Sequence, residues 1–365
     1  MRRLLALSPL LALSLAPAVS AETTRTLRAQ LAGDTGKPFA VENLAGTMRV
    51  TTADVETAVA VATIHAESDE LAGLMRFEQV TGEKGVPTLR VRYPVDRYTS
   101  YRFGKPDNSG RAEHEGFLSR LFNGNTNMKY DGVRVTVSGR NGVLLYANVE
   151  VQVPRKTIDG TFKNHVGPIS GQGVSGHVTY DSGSGDVTVQ GGQGEIKADT
   201  GSGDVKASGI EGSFTCDTGS GNCDVSGFKG DSLRCDTGSG EVRIESVAAH
   251  RVVADTGSGN VRVRGVDAEE FVADTGSGDV ELTVQGSRLT RVKADTGSGD
   301  VRLRLDKDAG FEARANTGSG DVVSHYADAE AIRNRKEIVG YRRGDGRIHI
   351  NVDTGSGDVV IEPAP

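Results

Sequence analysis

The chain has 365 residues, with 42 Lys and Arg against 49 Asp and Glu, a formal net charge of −7. That mild acidity argues against nucleic acid as the main partner. Its 49 glycines are too many for ordinary helices and its 10 prolines too few for a disordered linker; with no Trp, the composition fits a turn-rich β protein.

Residues 1–21 read as a secretory signal. Arg2 and Arg3 precede a 12-residue apolar run, and Val19-Ser20-Ala21 supplies small residues for cleavage before Glu22. The run is shorter than the roughly 20 residues that span a bilayer. No Cys follows it for a lipid anchor, and no later stretch is apolar enough to be transmembrane. The mature chain is expected to be exported, periplasmic or extracellular. Losing Arg2 and Arg3 leaves 40 cations against 49 acids, a net −9.

Residues 22–165 are less regular. Strand-like runs fall at 24–32, 40–51, 58–65, 88–93, 133–138 and 143–153, with a short helical turn around 68–74. The run Val41-Glu42-Asn43-Leu44-Ala45-Gly46-Thr47-Met48-Arg49-Val50 has the pattern of a degenerate repeat. This half is expected to start and cap a solenoid, because an open strand edge invites aggregation. An insertion at 97–130 breaks the strand pattern yet holds Tyr98, Tyr101, Phe103, Phe117, Phe122 and Tyr130, six of the 18 aromatics. Its Arg97, Arg102, Lys105, Arg111, Arg120 and Lys129 outnumber Asp107, Glu113 and Glu115, a net +3. Such a segment either binds a partner or folds back to cap the stack, burying its aromatics.

From 166 to 365 a turn motif recurs nine times, led by Asp181, Asp199, Asp217, Asp236, Asp255, Asp274, Asp295, Asn316 and Asp353. The steps are 18, 18, 19, 19, 19, 21, 21 and 37 residues, the period of a stacked array. Apolar residues alternate on both flanks, as in Ile196/Ala198 before the turn and Val205/Ala207 after it. The fold class is therefore all-β: a single-chain parallel β-solenoid, β-helix-like, of 18–21-residue coils. Each coil is strand, TGSG turn, strand and second turn, as at Gly209-Ile210. Nine coils spaced about 4.8 Å apart give a rod of roughly 40 Å. Residues 327–347 delay the last repeat and are expected to form a C-terminal cap.

The TGSG glycines are expected to supply positive φ, and the leading Asp an Asx-turn to the amide two residues on. Stacked carboxylates about 4.8 Å apart repel by roughly 0.9 kcal/mol per pair in bulk water. Outward cations offset this, with Lys197, Arg234, Lys293 and Arg314 before the acids and Lys206, Arg243, Arg262 and Arg302 after them. Cys216 and Cys235 share an inward column with Ala198, Ala254 and Ala273. They are expected as free buried thiols, or as a bridge between adjacent coils; without a CxxC pair, a three-Cys metal site with Cys223 is not expected.

The sequence resembles the bacterial putative-adhesin family of β-strand repeats, also called the toastrack domain. The resemblance is carried by Gly46-Thr47-Met48-Arg49-Val50, by Val149-Glu150-Val151-Gln152-Val153-Pro154 and by the GDV-type turns, and spans about 39–361. It implies an all-β repeat domain on exported or membrane-associated proteins, linked to surface assembly or envelope signalling, and offers no catalytic residues.

Other chemistries fit less well. Asp-Thr-Gly-Ser is also an aspartic-protease string, but such a dyad needs two carboxylates sharing one proton across a cleft, which nine solvent-facing copies cannot all provide. The turns also resemble those of calcium-binding β-rolls. Yet Asn222, Asn260 and Glu241 replace the second Asp, and cations lie alongside. At most, weak cation binding is expected there. Ice binding would need a flat Thr face rather than a turn. The seven histidines, His65, His114, His165, His177, His250, His325 and His349, lack ligand spacing. Polysaccharide-cleaving solenoids cluster acids on one sheet face, whereas here the acids sit in turns. No catalytic, cofactor or metal residue is assigned. The expected function is a non-catalytic scaffold that meets an unknown protein or envelope component. A periplasmic accessory or sensor of an envelope stress system is the alternative, and a calcium-binding β-roll-like repeat a further one.

Overall fold

Alternate residues of each repeat turn inward, and that alternation builds the molecule. The computed structural model describes residues 22–103 and 125–365; the signal at 1–21, and Phe117 and Phe122 of the insertion, lie outside the described residues. In the Asp217 coil, a leading strand Glu211–Thr218 enters the turn and a trailing strand Cys223–Ser226 leaves it. Leading strands pair in parallel and in register, acid on acid, from Asp181↔Asp199 through to Asp274↔Asp295. Inward columns such as Val205, Cys223, Val242, Val261, Val280 and Val301 are wholly buried. Each such side chain contributes about 1.5–3 kcal/mol of burial, so the stack is a β-solenoid held by its interior.

The second corner of the coil is where positive φ is needed. Gly173, Gly191, Gly209, Gly227 and Gly265 all lie at φ 64–67°. Ser246 takes the same corner at φ 56°, a conformation that costs a non-glycine residue about 1 kcal/mol. Ser246→Gly is expected to raise stability by up to about that amount, read as a higher denaturation midpoint; an unchanged or lower midpoint would deny the strain.

The order of the layers departs from the order of the chain. The C-terminal strands Ile348–Thr354 and Val359–Pro363 pair on one side with Arg291–Thr296 and Val301–Leu305. On the other side they pair with Phe311–Thr317 and Val322–Ser324. The Asp353 coil is thus slotted between the Asp295 and Asn316 coils, and the long 37-residue step is the excursion that permits it. Within that excursion, Glu330–Asn334 and Glu337–Arg343 form a hairpin whose second strand runs antiparallel on the outer edge of Phe311–Thr317. The coil that ends the stack is therefore Asn316's, not Asp353's.

At the other end, Phe39–Ala45 and Met48–Ala53 stack in register on Ile158–Val166 and Ile169–Gln172 as one more coil. Pro87–Arg92 and Val143–Pro154 add a further parallel layer from two separate segments. The pairing then turns antiparallel, with Arg76–Thr81 on one flank, and Val59–Ala66 followed by Thr23–Gln30 on the other. Reversing strand direction ends the array without leaving a parallel template exposed. With these layers the stack is twelve deep among the described residues, roughly 53 Å at the usual strand spacing. It is thus longer than nine repeats alone would give. In the 97–130 insertion, Tyr101, Phe103 and Tyr130 are buried, while Tyr98 is 37% exposed. Tyr101 and Tyr130 pack edge-on against Tyr93, so these flanks belong to the core rather than to an exposed contact surface.

Candidate functional site

The repeated turns form one continuous edge of the solenoid, and their geometry corrects two expectations. The TGSG glycines do not have positive φ. Instead, a Cβ on Gly203, Gly221, Gly240, Gly259 or Gly278 would lie 1.8–2.2 Å from the carbonyl oxygen of the matching glycine one layer below. Glycine is required there because backbones stack against each other. Nor does the leading Asp make an Asx-turn. The amide two residues on bonds the layer below instead, as in Gly201 N to Ser182 O at 3.1 Å and Gly219 N to Thr200 O at 3.1 Å.

The turn threonine is buried, a role that its polarity hid in the sequence. Thr218 Oγ1 donates to Gly203 O at 2.8 Å and accepts from Gly221 N at 3.1 Å. The pattern repeats at Thr200, Thr237, Thr256, Thr275, Thr296 and Thr354. This hydroxyl ladder satisfies backbone groups that burial would otherwise orphan.

The second acid of the motif has a structural use too. Asp186 Oδ1 accepts from Asp204 N at 3.0 Å, Asp204 from Asn222 N at 2.8 Å, and Asn222 from Glu241 N at 2.9 Å. The chain of bonds resumes through Asn260, Asp279, Asp300 and Asp358. Asn serves as well as Asp because the job is accepting an amide, not carrying charge. Glu241 is too long for it and turns to Arg243 and Arg262. An oxygen held this way is poorly placed to ligate a cation. Saturating Ca²⁺ is accordingly expected to leave the melting temperature nearly unchanged, whereas a large chelator-reversible rise would restore the β-roll reading.

The leading acids are only partly balanced by cations. Lys197 reaches Asp199 at 2.7 Å and Asp217 at 3.6 Å, and Arg234 reaches Asp236 at 2.7 Å and Asp255 at 3.9 Å. Toward the N-terminal cap the column becomes Lys163, Glu42 and Arg90. There charges alternate, with Lys163–Asp181 at 2.9 Å and Arg90–Glu42 at 2.7 Å. Burial alone would raise the Glu42 carboxyl, but His165 and Arg90 hold it below the usual carboxylate range. In the C-terminal direction, partial burial and then the flanking acids push Asp255 and Asp295 upward; Asp274 flanks both. A raised carboxyl binds its proton more tightly folded than unfolded, so these two groups add stability as pH falls through their folded values. Asp274→Asn should remove its share of that repulsion, leaving Asp236 and Asp353, lower both neighbours' titration midpoints, and stabilise by on the order of 0.5 kcal/mol at these exposed positions. Carboxyl titration by NMR checks it, and unmoved midpoints would refute the coupling. The column ends in Asn316, whose amide meets Asp353 at 3.3 Å without adding charge.

All three cysteines converge inside the coils. Cys216 is bonded to Cys223 across the interior of its own coil, with Cα atoms 6.5 Å apart, and Cys235 is a buried free thiol. The partner of Cys216 is thus neither absent nor Cys235, as the column pattern implied. Opposed inward positions of one coil face each other, which a single strand's alternation does not reveal. Among the described residues, these three are the group of potential metal ligands whose donor atoms lie within 4.8 Å of one another.

On the outward face of the leading strands, half-buried Val253 and Val272 lie among Arg251, Arg291 and Lys293. Arg251 and Arg291 share Glu270 at 3.4 and 3.7 Å, and Arg314 takes Glu312 at 3.1 Å. Lys293 is within ion-pair distance of no carboxylate among the described residues. The C-terminal hairpin borders this face, and the cleft of about 710 Å³ between them is lined by Lys293, Arg314 and Arg333, by the acids Asp295 and Asp353, and by Asn316 and Asn351. No helix among the described residues is long and apolar enough to cross a membrane.

The Toastrack DUF4097 family matches residues 125–362, which hold all nine turns and both strands that carry the central coils. The chain belongs to the Toastrack family. Among solved structures, it is similar to a putative adhesin from Bacteroides fragilis at 12% identity, covering 94% of this chain and 98% of that one with a TM-score of 0.35. A putative adhesin from Parabacteroides distasonis shares 13% identity over 94% of this chain and 98% of its own, TM-score 0.44. A putative lipid binding protein from the same organism shares 15% over 93% and 96%, TM-score 0.39. No curated protein matches the chain. As a Toastrack protein it has turns whose polar groups mostly bond other layers, and leading strands whose outward residues are half-buried or exposed.

Proposed function

We propose that this Toastrack chain is an exported, non-catalytic scaffold that docks a protein or envelope component on its leading-strand face. The observation that carries the reading is the cleft beside the C-terminal hairpin. There Lys293, Arg314 and Arg333 line the opening, and half-buried Val272 lies beside Lys293 on the neighbouring strand. Elsewhere along the turn edge the side chains spend their polarity on other layers, which leaves little for catalysis. The cations Lys293, Arg314 and Arg333 outnumber the acids Asp295 and Asp353 there, a balance that suits an acidic partner surface.

The test is binding of the purified mature protein to isolated cell-envelope fragments at physiological salt, compared with Lys293→Glu combined with Val272→Ser. Lys293 is exposed and Val272 only half-buried, so the variant should stay folded with a modestly lower melting temperature from the added charge beside Asp295. Saturable binding that weakens at least about tenfold in the variant would support the reading. Binding no stronger than that of an unrelated acidic protein would end it, as would binding indifferent to the variant.

A further inference from the structure

The chain has three cysteines, Cys216, Cys223 and Cys235, and the fold brings all three into one sealed spot. Their sulfurs lie within 4.8 Å of one another. Cys216 is the common neighbour. It faces Cys223 across its own coil, to which it is bonded, and sits in register with Cys235 in the next layer. Ala198 and Ala254 occupy the same leading column, while Val205 and Val242 flank Cys223 in the trailing one. The surroundings are apolar, so no side chain there competes for the sulfurs.

We propose that the three cysteines form one disulfide-exchange centre, in which Cys216 switches its partner between Cys223 and Cys235. The step is an internal isomerisation that needs no outside oxidant or reductant. The Cys235 thiol loses its proton, and its sulfur attacks Cys216 Sγ. The Cys216–Cys235 bond forms, the Cys216–Cys223 bond breaks, and the electron pair leaves on Cys223, which takes up the proton. One arrangement ties the two strands of a coil together, and the other ties two successive layers. The chain thus keeps one covalent tie in its middle, whichever way the layers breathe. Metal capture by the same sulfurs is closed while two of them are bonded to each other.

Burial, and then repulsion from Asp224 and Asp236, pushes the Cys235 thiol far up, with Arg234 opposing. Thiolate is therefore scarce at neutral pH. Exchange should be slow there and accelerate about tenfold per pH unit.

The experiment uses the mature wild-type chain, incubated at pH 7 and pH 9 and quenched in acid. Free thiols are then blocked in denaturant before digestion. Trypsin leaves Cys216 and Cys223 together in 207–229 and Cys235 in 235–243; a protease cutting before Asp then separates Cys216 from Cys223. The expected result is both an internally bonded 207–229 and a 207–229 to 235–243 species linked through Cys216, with the second approaching its final share faster at pH 9. Only the internal bond at every pH, or a linked species that joins Cys223 to Cys235, would overturn the proposal. Two variants guard against a population too small to see. Cys235→Ala should hold the first bond alone, and Cys223→Ala, refolded with oxidised glutathione as the two-electron oxidant, should form Cys216–Cys235. Two free thiols in folded Cys223→Ala would also overturn it.

Discussion

Gly259→Ala is expected to cost more than about 4 kcal/mol, a loss reserved for changes that a packed structure cannot absorb. The added Cβ would lie 1.8 Å from Gly240 O and 2.5 Å from the carbonyl carbon, both backbone atoms fixed by layers on either side. To relieve the overlap, two coils must separate locally. That would stretch the Thr256 bond to Gly240 O, now 2.8 Å, and the bond from Gly259 N to Thr256, now 3.1 Å. Gly209→Ala is the matched comparison. It sits at φ 64° on the second corner, where an added Cβ meets nothing within 4 Å. Its cost should be the conformational one alone, about 1 kcal/mol. Denaturant unfolding of both variants separates the causes. Equal, small losses would mean that the turn glycines are chosen for φ after all.

Ending the chain after Arg347 is expected to disorder far more than the 18 residues removed. Ile348, Ile350, Val352, Val359 and Ile361 are almost wholly buried, and together represent on the order of 10 kcal/mol of burial before chain entropy is counted. The decisive readout lies elsewhere. Phe311–Thr317 and Val322–Ser324 make their parallel ladder only with the C-terminal coil. Their amides should therefore lose hydrogen-exchange protection although these residues are retained, while Val205–Ser208 and its neighbours stay protected. Protection surviving in 311–324 would mean that the layers follow chain order.

The apolar alternation at Val261/Val263 and its equivalents is a local pattern, so strands, inward columns and coil period could all be read from the sequence. The same holds for 41–50, where Val41, Met48 and Val50 repeat the inward rhythm and do stack on the next coil. The order of stacking could not be read. Every coil presents the same turn and the same inward rhythm, so Asp353's coil fits against Asp295's as well as Asn316's does. Only the path of 325–347 through space chose between them. The purpose of the turn residues was hidden for a related reason. Glycine looks the same whether it permits a φ or a close approach, and threonine looks like a surface residue until a neighbouring layer covers it. Cys216 and Cys223 are seven positions apart on strands of different direction, and their facing depends on how the turn between them folds the coil shut. The sequence by itself determined what each coil is made of, because inward and outward are settled by single-strand periodicity. The tertiary structure alone decided which coil lies on which and which side chains meet across the interior, because those are contacts between segments that local chemistry leaves equivalent.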